Sequence, residues 1–232
     1  LYFLAFGGVV ASDNQSTLQC RMNSIIEPLW EPTVEQVAAA NITRFAREAE
    51  NHWGRVFDDY SQLHRWSVDE PEEFWNSIWD FCGLIAASRG ERVVDLSVDK
   101  LGARFFPDAR FNFAHNLLQR RDEADAIIFW SEDKVRGRLS YSDLYLQVAG
   151  IAQALRNAGI KPGDRVCGFM PNMPETVIAM LAATSIGAVW SSCSPDFGVQ
   201  GVLDRFGQIE PKVLITVDGY FYNGKNLNIK SK

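Results

Sequence analysis

A mainly parallel α/β sheet with helices on both faces, preceded by a helical, tryptophan-rich segment, is the fold class that this sequence predicts. Two observations carry the prediction. From Ala126 onward, short apolar runs without polar alternation are separated by single helical stretches. That is the pattern of strands buried on both faces and joined by right-handed crossovers. Before Asn112, apolar residues instead recur at helical spacing and are rich in Trp and Phe. The 232 residues, 47% of them hydrophobic, suffice for one large domain or for one domain and a small satellite.

The elements follow in chain order. Val34, Val37, Ala38, Ile42, Phe45 and Ala49 share one face of a helix from Thr33 to Trp53, with Thr33 as N-cap, Gln36 as its capping-box partner and Gly54 as the stop. Asp69-Glu70-Pro71-Glu72-Glu73 opens a second helix, because acidic residues and proline both suit a first turn. Its packing face is Phe74, Trp75, Ile78, Trp79 and Phe81, and Gly83 or Arg89-Gly90 ends it. Aromatics at helical spacing are core residues by default, so Trp53, Trp66, Trp75 and Trp79 are assigned to packing rather than to a ring-stacking ligand site. Ala126 to Trp130 is a strand, and Arg138 to Ser140 a shorter one beyond a charged turn. Then follow a helix from Tyr141 to Asn157, a strand from Asp164 to Met170 and a helix from Pro174 to Ile186 closed by Gly187. A strand from Ala188 to Cys193, a helix from Gly198 to Ile209 and a strand from Lys212 to Val217 complete the series. The sheet is expected to begin near Ala126.

Composition excludes several function classes. Twenty-three Lys and Arg against 29 Asp and Glu leave a net charge of −6, and no basic cluster is present to neutralise a phosphate backbone, so no nucleic-acid partner is expected. The four cysteines, Cys20, Cys82, Cys167 and Cys193, form no Cys-x-x-Cys pair, and His52, His64 and His115 lack ligand spacing, which predicts reduced thiols and no metal site. The apolar start, Leu1 to Val10, has no positive n-region and is not read as a signal peptide; residues 1–21 are expected to be a leader outside the folded family region. The apolar run from Val177 to Trp190 is broken by Thr184, Ser185 and Gly187 and is shorter than the ~20 residues of a membrane span, so no membrane partner is expected.

In a parallel sheet, ligands collect outside the carboxyl ends of the strands. Three loops qualify. In Pro171-Asn172-Met173-Pro174, Asn172 reads as a helix cap with Pro174 in the first turn. In Ser191-Ser192-Cys193-Ser194-Pro195-Asp196, hydroxyls, a thiol and a carboxylate precede a helix, with no histidine nearby in sequence to activate a nucleophile. Gly219-Tyr220-Phe221-Tyr222-Asn223-Gly224-Lys225-Asn226 nearly spells a Walker phosphate loop. Its bulky Tyr220, Phe221 and Tyr222, and Asn226 in place of the magnesium-binding hydroxyl, speak against that reading.

Three segments in this order resemble adenylate-forming (AMP-binding) enzymes: Leu139-Ser140-Tyr141-Ser142-Asp143-Leu144, then Gly163-Asp164-Arg165-Val166 with Pro171-Asn172-Met173-Pro174-Glu175, then Leu181-Ala182-Ala183-Thr184 with Gly187-Ala188-Val189. Trp190 to Gly198 and Leu203 to Lys212 narrow the resemblance to the acetoacetate–CoA ligase branch, and Pro71 to Trp79 is similar to the N-terminal region of acetyl-CoA synthetases.

The resemblance implies domains at 22–115, an acetyl-CoA-synthetase-like helical region, and at 116–232, the start of an adenylation domain. It implies a cytosolic ligase using ATP, CoA and Mg2+, which activates a short acid as its adenylate. It also implies a CoA contact at Tyr222, Asn223, Gly224 and Lys225, where Lys225 keeps one cation and Tyr222 stands in the place of a second, and a substrate side at Trp190, Ser191, Ser192 and Asp196. No residue of this chain is assigned a catalytic role. The family's phosphate loop, ribose carboxylate, hinge and adenylation lysine lie downstream of the matched region, so the 232 residues are expected to be an N-terminal fragment that is inactive alone. A ligase for acetate or a similar acid and a non-catalytic binding fragment are the alternatives.

Overall fold

The computed structural model describes residues 28–96 and 102–230 and divides the chain into two compact units, meeting at Asp58 and Asp59. The expected leader at residues 1–21, with Cys20, lies outside the described residues.

In the first unit the single helix expected from Thr33 to Trp53 is two. Helix α1 spans Val34–Ala39 and has the full capping box: the Gln36 backbone N–H donates to Thr33 Oγ1 at 3.2 Å and the Thr33 N–H to Gln36 Oε1 at 2.8 Å. Ala40 then turns extended (φ −66°, ψ 140°), and α2 spans Asn41–Trp53. The break leaves the Val37 carbonyl outside a continuous helix, and the Thr43 hydroxyl donates to it at 2.6 Å. A hydroxyl that competes for backbone groups is what a propensity reading overlooks. Phe45 and Ala49, one turn apart, are the buried face of α2. Gly54 ends it in the left-handed conformation (φ 64°).

The second unit opens with a helix absent from the sequence expectations, α3 (Tyr60–Asp69), capped by Asp59, whose carboxylate accepts from the Gln62 N–H at 2.8 Å. Helix α4 (Pro71–Phe81) has proline in its first turn, followed by Glu72 and Glu73, and stops before Gly83 (φ 62°). The aromatics here pack on one another. Trp66 makes an edge contact with Phe74 and its indole N–H donates to Glu73 at 2.8 Å. Trp79 lies against Phe106 and Phe111, with the Arg89 guanidinium over both Trp79 and Phe106 while it bonds Asp80 and Asn76. A two-residue pairing, β1 (Val94–Asp95) with β2 (Arg104–Phe105), and a short helix α5 (Phe113–Leu117) follow. Asn112 caps α5 through the His115 N–H and, through its own amide, donates to the Thr184 carbonyl at 2.9 Å, tying this region to a segment 72 residues further along the chain.

The expected strand at Ala126 forms as β3 (Asp125–Ser131), but it does not begin the parallel sheet. It pairs antiparallel with β4 (Val135–Ser140) in a separate hairpin. The charged turn of only a few residues permits antiparallel pairing, whereas a parallel neighbour needs a crossover. Ser140 caps α6 (Tyr141–Asn157) by accepting from the Asp143 N–H at 3.0 Å. The parallel sheet is then built from β5 (Arg165–Phe169), β6 (Val189–Cys193) and β7 (Val213–Thr216), in the order β6-β5-β7 with both pairings parallel.

Helix α7 (Pro174–Ser185) joins β5 to β6, and α8 (Val199–Phe206) joins β6 to β7. Because β7 lies on the far side of β5 from β6, the two crossovers run in opposite directions, and the right-handed rule puts their helices on opposite faces. The core agrees. Val166, fully buried, packs with Val148, Ala152, Leu155, Ile178 and Leu181 of α6 and α7, whereas its neighbour Cys167, with Phe169, packs with Phe206 of α8 and with Ile229. Asp164 and Lys212 fasten the amino end of the sheet. The carboxylate meets Lys212 Nζ at 2.7 Å and accepts from the Lys161 N–H at 2.8 Å.

Candidate active-site cavity

The loops after β5 and β6 diverge to opposite faces of the sheet, and between two such neighbours a crevice opens at the carboxyl ends of the strands. A cavity of about 980 Å3 occupies this place. Pro171 to Glu175 line it after β5, Ser194 and Asp196 after β6, and Asp218 after β7. The opposite wall is the β3–β4 hairpin, through Phe129, Trp130 and Glu132.

Pro174 opens α7 as expected, but Asn172 is not its cap. The N-cap is Met173, which makes no side-chain cap bond, and proline at the first position has removed one of the amides a cap would serve. The neighbouring polar bond comes from Thr176, whose hydroxyl donates to the Pro171 carbonyl at 2.7 Å.

The loop after β6 is organised by Asp196. It receives the Ser194 hydroxyl at 2.7 Å on one oxygen and the Tyr220 hydroxyl on the other. The Tyr220 phenol is pushed up to about 12, first by this hydrogen bond, which holds its proton, and then by burial. Cys193 and Cys167 are buried free thiols, and burial raises both above the ordinary range, so neither is a ready thiolate.

The loop beginning at Gly219 is a hairpin, β8 (Gly219–Tyr222) with β9 (Lys225–Asn228), in which Tyr222 pairs with Lys225. Asn223 (φ 50°) and Gly224 (φ 70°) form its two-residue turn, the left-handed pair that gives Asn-Gly its hairpin preference. The Walker-like reading has no support here, because a strand and not a helix follows Lys225. The Asn-Gly step between two apolar runs is the signal that would have identified the hairpin.

Of the eight residues singled out in the sequence, the structure brings Asp196 and Tyr222 to the cavity wall. Asn223, Gly224 and Lys225 stand at the hairpin tip beside it. Trp190, Ser191 and Ser192 lie along β6 instead; Trp190 packs into the core over Gly168, where an added Cβ would sit 2.6 Å from the indole. Glu132 and Trp130 carried no sequence signal as site residues, since the β3–β4 turn meets this region across 92 residues of chain. The lining is acidic: Glu132, Glu175, Asp196 and Asp218 against Lys230, which is itself 3.8 Å from Asp218.

Comparison with known proteins agrees with this architecture. The family profile described as AMP-binding enzyme matches residues 113–231, and that described as acetyl-coenzyme A synthetase N-terminus matches residues 60–117. The chain is 51% identical over 205 residues to the acetoacetyl-coenzyme A synthetase of Rhizobium meliloti (strain 1021), covering 88% of this chain and 31% of that protein. It is 40% identical over 210 residues to the acetoacetyl-CoA synthetase of Xenopus tropicalis, with the same two coverages. The solved acetoacetyl-CoA synthetase from Streptomyces lividans superposes with a TM-score of 0.80 at 41% identity, covering 88% of this chain and 32% of that one. The chain thus spans about a third of the length of these relatives. A sheet with helices on both faces, a cavity at its switch point and a profile match over more than half of its residues together establish that this chain belongs to the AMP-binding enzyme family and is a homologue of the acetoacetyl-CoA synthetases.

Proposed function

We propose that the chain forms the amino-terminal part of an ATP-dependent acetoacetate–CoA ligase, with acetoacetate, ATP and CoA yielding acetoacetyl-CoA, AMP and pyrophosphate through an acyl-adenylate. The observation that carries the reading is the cavity at the switch point of β5 and β6, in a chain 51% identical to a protein of that name. A carboxylate becomes an acyl donor only when its oxygen is made part of a leaving group, which the adenylate supplies before a thiol attacks. In this reading residues 22–115 support the adenylation domain begun by 116–232, and the reaction takes place in the cytosol, where free thiols such as Cys167 and Cys193 persist.

The residues present fit the cofactors unequally. Gly224 N–H and Lys225 at the hairpin tip suit the phosphorylated end of CoA, one as an amide donor and the other as a point charge. Asp196 and Tyr222 belong to the substrate and CoA walls of the cavity, while Trp190, Ser191 and Ser192 act behind them from β6. The acidic lining does not fit the triphosphate of ATP, so no step of phosphoryl chemistry is assigned to it. Among the described residues no His, Cys, Asp or Glu cluster could hold a metal ion, and Mg2+ would arrive with ATP.

The acetyl-coenzyme A synthetase profile over residues 60–117 keeps acetate as the second acid to test. The experiment is acid-dependent pyrophosphate exchange with two proteins: the 232-residue chain, and a chimera in which it replaces the equivalent third of the Rhizobium relative. The 232 residues alone, which span about a third of the relatives' length, are expected to give no exchange, because loss of preorganised groups costs orders of magnitude in rate. The chimera is expected to exchange with acetoacetate in preference to acetate. A folded chimera that exchanges with acetate and not with acetoacetate would overturn the assignment.

A further inference from the structure

The tip of the β8–β9 hairpin is already occupied by an oxyanion. Its turn amide, the Gly224 N–H, is not used by the hairpin ladder and donates to Glu132 Oε2 at 2.9 Å. Glu132 itself sits in the turn of the other hairpin, between β3 and β4, in the left-handed conformation (φ 49°). Both residues are exposed, and both turns flank the same cavity: Glu132 lines it from one side, and Tyr222, the cross-strand partner of Lys225, from the other. The contact therefore bridges two hairpins that are 92 residues apart in sequence, at the rim of a site proposed to receive a phosphorylated ligand.

We infer that Glu132 is a built-in competitor for this tip, a latch that a phosphate group of the ligand displaces. The inference rests on the reading that the loop from Tyr222 to Lys225 receives the phosphorylated end of CoA. A carboxylate and a phosphate oxygen ask for the same donor, and a turn amide can satisfy only one of them at short range. While Glu132 holds the Gly224 N–H, its negative charge also repels an incoming phosphate. When phosphate takes the amide, with Lys225 alongside, the β3–β4 turn loses its tie to the β8–β9 turn, and the wall formed by Phe129 and Trp130 is freed at that edge. Binding at the rim and opening of the cavity are then one equilibrium, read from opposite ends.

The test is Glu132→Gln and Glu132→Ala in the full chain, with two independent measurements. The first, without ligand, is hydrogen exchange of the Gly224 amide. Loss of the charged acceptor is expected to speed exchange by about three- to tenfold, the factor that one net hydrogen bond represents. The second is affinity for CoA and for 3′-dephospho-CoA. Both variants are expected to bind CoA about three- to tenfold more tightly than the wild type, with Ala at the upper end, and dephospho-CoA no more tightly than before. Unchanged exchange at Gly224 overturns the latch whatever CoA does. Faster exchange with CoA affinity unchanged or reduced, in a wild type that binds CoA, overturns the competition and leaves the CoA reading standing. No binding of CoA by wild type or variants sinks that reading and the inference with it. Equal tightening for CoA and dephospho-CoA also counts against it, since the phosphate would then not be the group that competes.

Discussion

Gly168, in the middle of the central strand β5, is the position where packing can be tested with a change of sign. Its backbone is ordinary strand, yet a Cβ built on it would stand 2.6 Å from both Cη2 and Cζ2 of Trp190 on the neighbouring strand. That is about 1 Å inside the optimal separation of two carbons, so the indole must move. It cannot move freely, because it packs against the core formed by α6, α7 and Val166. Overpacking of this kind costs about 1–3 kcal/mol. Opposing it, alanine narrows the unfolded ensemble relative to glycine and contributes about 0.4–1 kcal/mol wherever the native backbone accepts it. Gly168→Ala is therefore expected to lower stability by about 1–2 kcal/mol. In a Trp190→Phe background the two clashing ring atoms are absent, only the unfolded-state effect remains, and the same substitution is expected to stabilise by up to about 1 kcal/mol. Urea unfolding of the four proteins gives the coupling directly, provided the slope with denaturant is unchanged. Equal destabilisation by Gly168→Ala in both backgrounds would refute the argument, because the cost would then lie in the backbone and not against the indole.

Two further predictions concern titration. The Asp164 carboxyl is held below the usual range, first by its hydrogen bond to Lys212 and then by the Lys161 N–H. A depressed carboxyl stabilises the fold above the unfolded value of about 3.9 and loses that contribution as pH falls through the folded value. The stability gap between wild type and Asp164→Asn should thus be full at neutral pH and close on acidification below about pH 4; a gap that is constant with pH would contradict it. Tyr220, pushed up to about 12 by Asp196, should ionise well above the ordinary tyrosine range in an ultraviolet titration, and Asp196→Asn should return it toward that range. Because its folded value is raised, its contribution is complete below about pH 10 and is lost as pH climbs from there to the folded value. A titration curve that Asp196→Asn leaves unaltered would remove that hydrogen bond from the account.

Local rules were enough for much of this chain. Thr33 with Gln36, Gly54, Pro71 and Gly83 end or begin helices through groups a few residues apart, and each stands where its capping chemistry places it. The apolar runs at Arg165–Phe169, Val189–Cys193 and Val213–Thr216 form strands as their composition requires, and the single helices between them imposed parallel pairing. The order of the short motifs also identified the family, because order and spacing survive in sequence even where each motif alone is weak.

What local rules could not decide is everything in which distant segments choose their partners. Whether the strand at Ala126 would join the parallel sheet depended on competition with β4, its immediate neighbour, which won because a short turn costs little entropy to close. Whether Trp190 would face ligand or core depended on the space that Gly168 leaves on the adjacent strand. The helix break at Ala40 is accompanied by a bond from the Thr43 hydroxyl to the Val37 carbonyl six residues back, a contact that helical periodicity does not announce. The loops after β5, β6 and β7 announced one wall of the cavity, but the opposite wall on the β3–β4 hairpin had no linear signature. The two walls are drawn from residues 129–137 and 171–230, and Glu132 reaches Gly224 only after the sheet has brought their hairpins side by side. Sequence by itself determined the segments and their family; the tertiary structure decided which side chains share a site, since hydrogen bonds and packing act through space over a few ångströms and the chain offers no local record of them.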